Sequence, residues 1–305
     1  MRASSNAANG AAARVVAVAA AGWAVVRCLA WMLRRRPDLV IGVGGYASGP
    51  AVLAARLLGV KTMVQEQNHY PGATNRWLAP RVDAVCVPSE AARERLGGRG
   101  IVTGNPVRAE FVSIGEPPGG ERVSLLVCGG SRGAHSINQA MIAALVPLAR
   151  LSPPPRVVHQ TGSADELAVR QAAGDYPGGY DVRAFLDDMP QRLADADLVL
   201  CRAGASTLAE LAAAGRPAIL VPYPHAADDH QRHNAETLQT AGAAVVLPDR
   251  ELDGSRLAAA VATLAADAGR RRSMGRAARG LAVPDAASRI ADVAEALLRR
   301  GHDVP

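Results

Sequence analysis

Three times along the chain a short apolar run stops at small or glycine-rich residues and a helix-like stretch follows, a pattern that few folds accept. Leu39-Val40-Ile41-Gly42-Val43 runs into Gly44-Gly45-Tyr46-Ala47-Ser48-Gly49-Pro50, and Val123 to Cys128 runs into Gly129-Gly130-Ser131-Arg132-Gly133-Ala134. Leu198-Val199-Leu200-Cys201 runs into Arg202-Ala203-Gly204-Ala205. Runs this short, with no polar alternation, read as strands buried on both faces. Strands alternating with helices imply a parallel, doubly wound sheet with ligands at the carboxyl ends of its strands. In the third unit Ser206 or Thr207 is placed to cap a helix from Leu208 to Ala214, with Glu210 in its first turn. Gly215-Arg216-Pro217 stops that helix and Ala218 to Pro222 forms the next strand. A helix N-terminus at a strand end offers unpaired N–H groups to anions or hydroxyls, so the expectation is a ligand site of nucleotide type.

At 305 residues the chain has room for two domains of ordinary size. Glu116-Pro117-Pro118-Gly119-Gly120 is the best candidate linker. It predicts an N-terminal domain over 1–115, a second domain over 121–283, and a tail over 284–305. The tail's helix, Ala286 to Arg300, is expected to return to the first domain. Strands are expected at Asp38 to Val43, Val60 to Val64, Val82 to Val87 and Gly100 to Val102, whereas a doubly wound nucleotide-type domain has about six. The N-terminal domain is therefore expected to be incomplete at its start. The second half carries a full set, adding Val157 to His159, Tyr180 to Ala184 and Ala243 to Leu247 to the strands above.

Met1 to Ala13 is small and polar, and disorder is expected there. Val15 to Leu33 is apolar, but Arg14 and Arg27 bracket a stretch well short of the ~20 residues needed to span a bilayer. Arg34-Arg35-Arg36-Pro37 stands where a signal peptide would have its small-residue cleavage site. The preferred reading is an amphipathic or buried helix ending before Pro37, with membrane insertion as the alternative. The segment Arg14 to Arg36 also suits peripheral attachment to an anionic membrane surface. A net charge of +6 favours an anionic partner in general. Nucleic acid is the weakest candidate and none is expected: aromatics are only 3%, no basic patch is interleaved with them, and no zinc spacing appears. Cys28, Cys86, Cys128 and Cys201 are far apart and read as reduced thiols of a cytosolic protein. His225, Asp228, Asp229, His230 and His233 share one loop without helix-phased spacing, so no metal is expected.

Gly129 to Ala134 lacks both the dinucleotide fingerprint and the P-loop lysine, so it is either a diphosphate-binding turn or a tight turn without ligand. Glu210 is either an ordinary acid of a helix first turn or an acceptor for a ribose diol. Arg108, after Asn105-Pro106-Val107, either neutralises a diphosphate or is a solvated surface side chain. Glu66 and Asn68 form a polar cluster at a strand end, or else cap a helix beginning near Gly72. Gln231 and Asn234 open the following helix and could reach a sugar.

Taken in order, Gly44 to Pro50, Glu66-Gln67-Asn68, Gly104-Asn105-Pro106-Val107-Arg108, Gly129 to Ala134, Cys201 to Ala205 and Glu210 to Gly215 resemble the MurG-type transferases of peptidoglycan synthesis, glycosyltransferase family 28. The resemblance runs from about Pro37 to the C-terminus and implies an α/β fold of GT-B type, two Rossmann-like doubly wound domains facing a cleft. It implies inverting transfer of N-acetylglucosamine from UDP-N-acetylglucosamine to the C4 hydroxyl of a polyprenyl-diphosphate-linked muramoyl peptide. The enzyme would work at the cytoplasmic face of the membrane, without metal or cofactor. By the same resemblance Ser131 and Arg108 lie at the diphosphate and Glu210 at the uridine ribose. Leu186 and the run Ala205, Ser206, Thr207, Leu208 and Ala209 surround the nucleotide, Asn68 and Gln231 contact the transferred sugar, and Gly44, Gly45, Tyr46 and Ser48 form the acceptor loop. Members of the family open with a glycine-rich loop bearing a candidate His base ahead of the position of Val15. That loop is absent here and Gln65 replaces a common His, so the base is unassigned and Glu66 is a candidate. A UDP-sugar-binding remnant and a UDP-sugar 2-epimerase are the competing expectations.

Overall fold

The computed structural model describes residues 3–45, 47–117, 119–130 and 133–302, and the chain divides into two compact units. Unit 1 comprises Met1–Gly104 and Ser288–Pro305; unit 2 comprises Asn105–Ala287.

Unit 1 runs α1 (Ala3–Arg35), β1 (Leu39–Gly42), α2 (Ser48–Leu57), β2 (Lys61–Gln65), α3 (Ala73–Leu78), β3 (Ala84–Val87), α4 (Glu90–Arg95) and β4 (Ile101–Val102). Its four strands lie in the order β1-β2-β3-β4, all parallel, with Leu39 opposite Lys61, Met63 opposite Ala84 and Cys86 opposite Ile101. Each crossover steps the same way, so among the described residues this sheet has no point at which the winding reverses. β1 is an edge strand, and its Ile41 is 44% exposed. The helix α1 begins at Ala3, where disorder was expected up to Ala13. That stretch is rich in alanine and free of proline, which lets the helix extend backwards. At its other end Arg36 adopts a left-handed φ of 46° and donates to the Met32 carbonyl, and Pro37 follows. The inner face of α1, with Val25, Cys28, Leu29 and Met32, packs on Ala54 and Ala55 of α2. Among the described residues no helix is long and apolar enough to cross a membrane.

Unit 2 runs α5 (Ala109–Val112), β5 (Ser124–Cys128), α6 (His135–Ala149), β6 (Arg156–Gln160), α7 (Glu166–Ala173), β7 (Tyr180–Arg183), α8 (Met189–Asp195), β8 (Leu198–Cys201), α9 (Ala205–Ala214), β9 (Ala218–Leu220), α10 (His230–Thr240), β10 (Ala244–Val246), α11 (Gly254–Ala266) and α12 (Ala268–Gly280). Its sheet has six parallel strands in the order β10-β9-β8-β5-β6-β7. The winding reverses between β5 and β8, the place where folds of this class open a ligand crevice. Successive strand residues serve opposite faces. Leu125, Val127, Leu198 and Leu200 pack against Ile137 and Met141 of α6 and Leu257 and Val261 of α11. Leu126, Val199 and Cys201 pack against Leu208 and Leu211 of α9 and Leu193 of α8. With helices on both faces, all of β8 and β9 and β5 from Leu125 onward are apolar, which is why these central strands read as continuous runs.

The units part at Gly104 and Asn105, not at the expected linker Glu116–Gly120. The reason is burial: Phe111 is fully buried and Ile114 is 8% exposed, both in the core of unit 2. The chain then returns to unit 1 through α13 (Ala286–His302), whose Ile290, Val293, Ala294 and Leu297 cover Leu39, Met63, Ala84 and Cys86 on one face of the unit 1 sheet.

Candidate functional site

At the carboxyl end of β5 two glycines, Gly129 and Gly133, let the backbone fold where no side chain fits. A Cβ on Gly129 would overlap the Ala134 nitrogen, and one on Gly133, whose φ is +74°, would overlap the Thr161 carbonyl oxygen. The turn therefore sits directly on the end of β6. Gln160, 2% exposed, donates to the Gly130 carbonyl at 2.8 Å and accepts from the Leu186 N–H at 3.3 Å, so one buried amide holds the glycine turn against the loop after β7. Ser131, expected at a diphosphate, lies outside the described residues, as does Arg132.

A cavity of about 440 Å³ opens beside this turn, lined by Arg108, Gly130, Phe185, Leu186, Thr207 and Glu210 with others. Four of the residues singled out from sequence, Arg108, Leu186, Thr207 and Glu210, thus share one wall within unit 2. Burial raises the pKa of Glu210, and the Arg108 charge opposes that rise. Arg108 stacks its guanidinium 4.9 Å from the centroid of Phe111, the apolar anchor of α5. Phe185, 60% exposed, was not singled out from sequence. Its signal was available: the chain has only two phenylalanines, and this one interrupts a polar turn at a strand's carboxyl end. Gln160 was missed as well, because a glutamine at the end of a strand shows its two bonding partners only once the turns are folded.

A second cavity, of about 650 Å³, shares Cys128, Gly130 and Thr207 with the first and is lined also by His135, Arg202 and Gln231. The helix α9 begins at Ala205 with Gly204 at its N-cap and no capping side chain, so the expected Ser206 or Thr207 cap does not form. The small residues Ala203-Gly204-Ala205 let the helix extend one turn further back, which leaves Ser206 and Thr207 inside its first turn. Leu208 is 3% exposed in the apolar core, which removes its side chain from any ligand, while Ala205 and Ala209 are half-buried and Ser206 is exposed. Gln231 accepts from the Ala203 N–H at 3.2 Å and the Tyr223 N–H at 3.0 Å, which commits its carbonyl oxygen and leaves its amide NH₂ as the group to meet a ligand. Asn234 is fully buried and donates to the Ala203 carbonyl, so it is a brace for the turn and not the sugar contact expected of it. Arg202, Asp249 and Ser136 tie the turn to its neighbours: Arg202 donates to Asp249 at 2.5 Å and to the Ser136 hydroxyl at 2.8 Å.

In unit 1 Glu66 is 2% exposed and accepts five hydrogen bonds. Oε1 receives the Gln67 N–H, the Asn68 N–H and the Asn68 side-chain amide; Oε2 receives the Gly72 N–H and the Asn75 amide. With both oxygens occupied, Glu66 is the organiser of its loop and not the free base that its position suggested. Asn68 is held at the carboxyl end of β2 by that carboxylate. Gly44 and Gly45 both have positive φ, and the Ser48 hydroxyl donates to the Gly44 carbonyl at 2.5 Å, closing the turn after β1. Tyr46 lies outside the described residues. His69 bonds the Ser89 hydroxyl at 2.8 Å, and burial with the nearby Arg95 charge lowers its pKa to about 4, so its ring is neutral at physiological pH. Among the described residues no group of three or more His, Cys, Asp or Glu could hold a metal ion.

Comparison with known proteins gives concordant results. Residues 6–87 match the glycosyltransferase family 28 N-terminal domain and residues 124–290 match the family's C-terminal domain. The UDP-N-acetylglucosamine–N-acetylmuramyl-(pentapeptide) pyrophosphoryl-undecaprenol N-acetylglucosamine transferase of Anaeromyxobacter sp. (strain Fw109-5) is 49% identical over 271 residues, covering 87% of this chain and 70% of that protein. The crystal structure of MurG from Acinetobacter baumannii superposes with a TM-score of 0.75 at 31% identity, covering 88% of this chain and 76% of that one. The structure of a putative UDP-N-acetylglucosamine 2-epimerase from Listeria monocytogenes shares the fold alone, with a TM-score of 0.68 at 17% identity over 92% of this chain and 80% of that one.

Proposed function

This chain belongs to glycosyltransferase family 28, and we infer from that membership that it is a UDP-N-acetylglucosamine-dependent transferase of peptidoglycan synthesis. It moves N-acetylglucosamine from UDP onto the muramoyl-pentapeptide carried by undecaprenyl diphosphate. The observation that carries the reading is the single wall of unit 2 on which the glycine turn, Arg108, Leu186, Thr207 and Glu210 meet.

In this reading the uracil lies against Phe185 and Leu186, and Glu210 accepts the ribose hydroxyls. The diphosphate meets the backbone of the glycine turn and the first-turn N–H groups of α9, with Arg108 as the cation. The acceptor's C4 hydroxyl gives its proton to a general base as its oxygen forms a bond to the anomeric carbon and the bond from that carbon to the diphosphate oxygen breaks, inverting the centre. Negative charge grows on departing UDP, where amide dipoles and Arg108 offset it without metal or cofactor. The Gln231 amide and Asn68 are assigned to the transferred sugar, and the loop of Gly44, Gly45 and Ser48 to the acceptor.

Labelled UDP-N-acetylglucosamine and a lipid-linked acceptor test the reaction directly: the expected product is labelled disaccharide lipid. Donor binding without any product overturns the transferase reading, and an epimerised sugar formed from donor alone favours the epimerase. Glu210→Ala is expected to raise the donor KM about ten- to a hundredfold, since hydrogen bonds to a charged group are worth about 1.5–3 kcal/mol. Because burial raises the Glu210 pKa, its ionised form is lost earlier on acidification than that of an ordinary glutamate, and donor affinity should fall with it as pH is lowered. Stability runs the opposite way. A carboxyl whose pKa is raised on folding favours the fold below its ordinary range and disfavours it as pH rises past the raised value. Glu210→Gln should therefore melt at or slightly above the parent temperature at neutral pH while binding donor more weakly; a lower melting temperature would contradict the assigned cause.

Attachment to the cytoplasmic face of an anionic membrane is part of the same reading. The outer face of α1 exposes Trp23 at 65% and Trp31 at 57%, with Val26 and Leu33 exposed and Arg34, Arg35 and Arg36 following. Flotation with anionic vesicles should fall by at least half for Trp23→Ser/Trp31→Ser, and high salt should weaken it in the parent. Flotation indifferent to both changes would rule out α1 as the contact.

A further inference from the structure

We propose that unit 2 carries a second anion site, distinct from the cavities at the strand carboxyl ends, which takes a phosphate or diphosphate group on an arginine-lined pocket between α12, the Gly215 turn and the segment Ile114–Pro117. The pocket has a volume of about 500 Å³ and is lined by Arg271, Arg272, Arg276 and Arg279, with Glu116 as the one acid among its described lining residues.

The arginines are arranged and not merely abundant. Residues 272, 276 and 279 follow the spacing that puts side chains on one face of a helix, and all three are exposed. Arg271 and Arg279 are fixed in place. Arg271 donates to the Leu264 and Ala265 carbonyls at 2.6 and 2.7 Å, and Arg279 donates to the Ile114 and Ala214 carbonyls at 2.7 and 2.9 Å. Arg272 and Arg276 make no hydrogen bond or ion pair with the described residues, so their guanidinium forks are available for a ligand. Glycines bring the walls together. A Cβ at Gly275 would lie 2.6 Å from the Gly215 carbonyl oxygen, and one at Gly215 would lie 2.7 Å from Arg279 Nε.

Behind this wall Arg216 is 1% exposed, and burial, with Arg279 adding to it, pushes its guanidinium pKa down to about 10. Asp195 and Asp197 offset part of the Arg216 charge, while the pocket itself is lined by four guanidinium groups and one carboxylate, the condition under which a pocket recruits anions. A phosphate group fits the donor set because guanidinium forks bind it in bidentate fashion. The site sits beyond the C-terminal end of α9, where Gly215 follows Thr207 by about 12 Å and Glu210 by about 7.5 Å along the helix axis.

The probe is inorganic pyrophosphate, titrated by calorimetry with and without saturating UDP. The expected result is one equivalent bound in the presence of UDP, weakened at least tenfold in Arg272→Ala/Arg276→Ala, with transferase activity unchanged in that variant. Arg150→Ala/Arg250→Ala, which removes the same charge elsewhere in unit 2, should bind as the parent does. Flotation with phosphatidylglycerol vesicles identifies the source. A loss of flotation in Arg272→Ala/Arg276→Ala that pyrophosphate reproduces in the parent assigns a lipid headgroup; unchanged flotation with lost pyrophosphate binding assigns a free phosphate compound. Equal pyrophosphate binding by parent and Arg272→Ala/Arg276→Ala overturns the proposal, and so does an equal loss in the charge control. Activity is read separately, so failure of the transferase reading leaves this result legible.

Discussion

Glu66→Ala is expected to destabilise unit 1 by about 3–5 kcal/mol, the scale seen when a buried charged partner is removed and its donors are left without an acceptor. Five donors converge on that carboxylate, two of them from the side chains of Asn68 and Asn75. Alanine leaves all five facing a cavity that water reaches poorly, since the site is 2% exposed. Glu66→Gln keeps the volume but turns an NH₂ group toward N–H donors, so it should recover only a minor part of the loss. Urea denaturation read separately for the two units is the measurement. A change below about 1 kcal/mol in the unit 1 transition would mean that solvent replaces the carboxylate and that the loop is not organised by it.

The second large effect belongs to Gly133→Ala. A left-handed φ already disfavours alanine there, and its Cβ would overlap the Thr161 carbonyl oxygen, a backbone atom that cannot rotate away. The turn must lift off the end of β6, which breaks the arrangement held by Gln160 and displaces the amides assigned to the diphosphate. A loss of about 3 kcal/mol in stability and at least a hundredfold in UDP affinity is expected. Gly130→Ala is the control: its φ is +87° but a Cβ there meets nothing within 4 Å, so it should cost only about 1 kcal/mol. Equal losses for the two variants would show that backbone conformation, and not close approach to Thr161, sets the cost.

The legible part of this fold is the part governed by local pattern. Val127 and Leu200 serve one face of their sheet and Leu126 and Val199 the other, so both faces are apolar and the strands announce themselves as uninterrupted runs. Glycine turns mark where those strands end, because only glycine tolerates the approach seen at Gly129 and Gly133. The roles proposed for Glu210 and Arg108 rest on family resemblance; the residues themselves allow a plain helix acid and a solvated arginine as well. What sequence missed depends on partners distant in the chain. Phe111 and Ile114 read as linker-adjacent residues until their burial moves the boundary to Gly104. Glu66 looked like a base because its five donors are assembled only by the loop that it organises. The start of α1 was missed for a different reason: a tract of small residues has the composition of disorder and the propensity of a helix.

The order of the elements along the chain has a consequence for synthesis. Unit 2 is an insertion: everything it needs, Asn105 to Ala287, leaves the ribosome as one contiguous block. Unit 1 is split around it: its four strands precede unit 2, and the helix that shields Met63 and Cys86 is made only after unit 2. Its nascent sheet must wait, with an apolar face open, through the whole translation of the other unit. Domains ordinarily fold from the N-terminal one onward, and exposed apolar surface in the interval favours aggregation. Here the maturation order is reversed, and the aggregation-prone interval falls on the unit whose strands are translated before the other's.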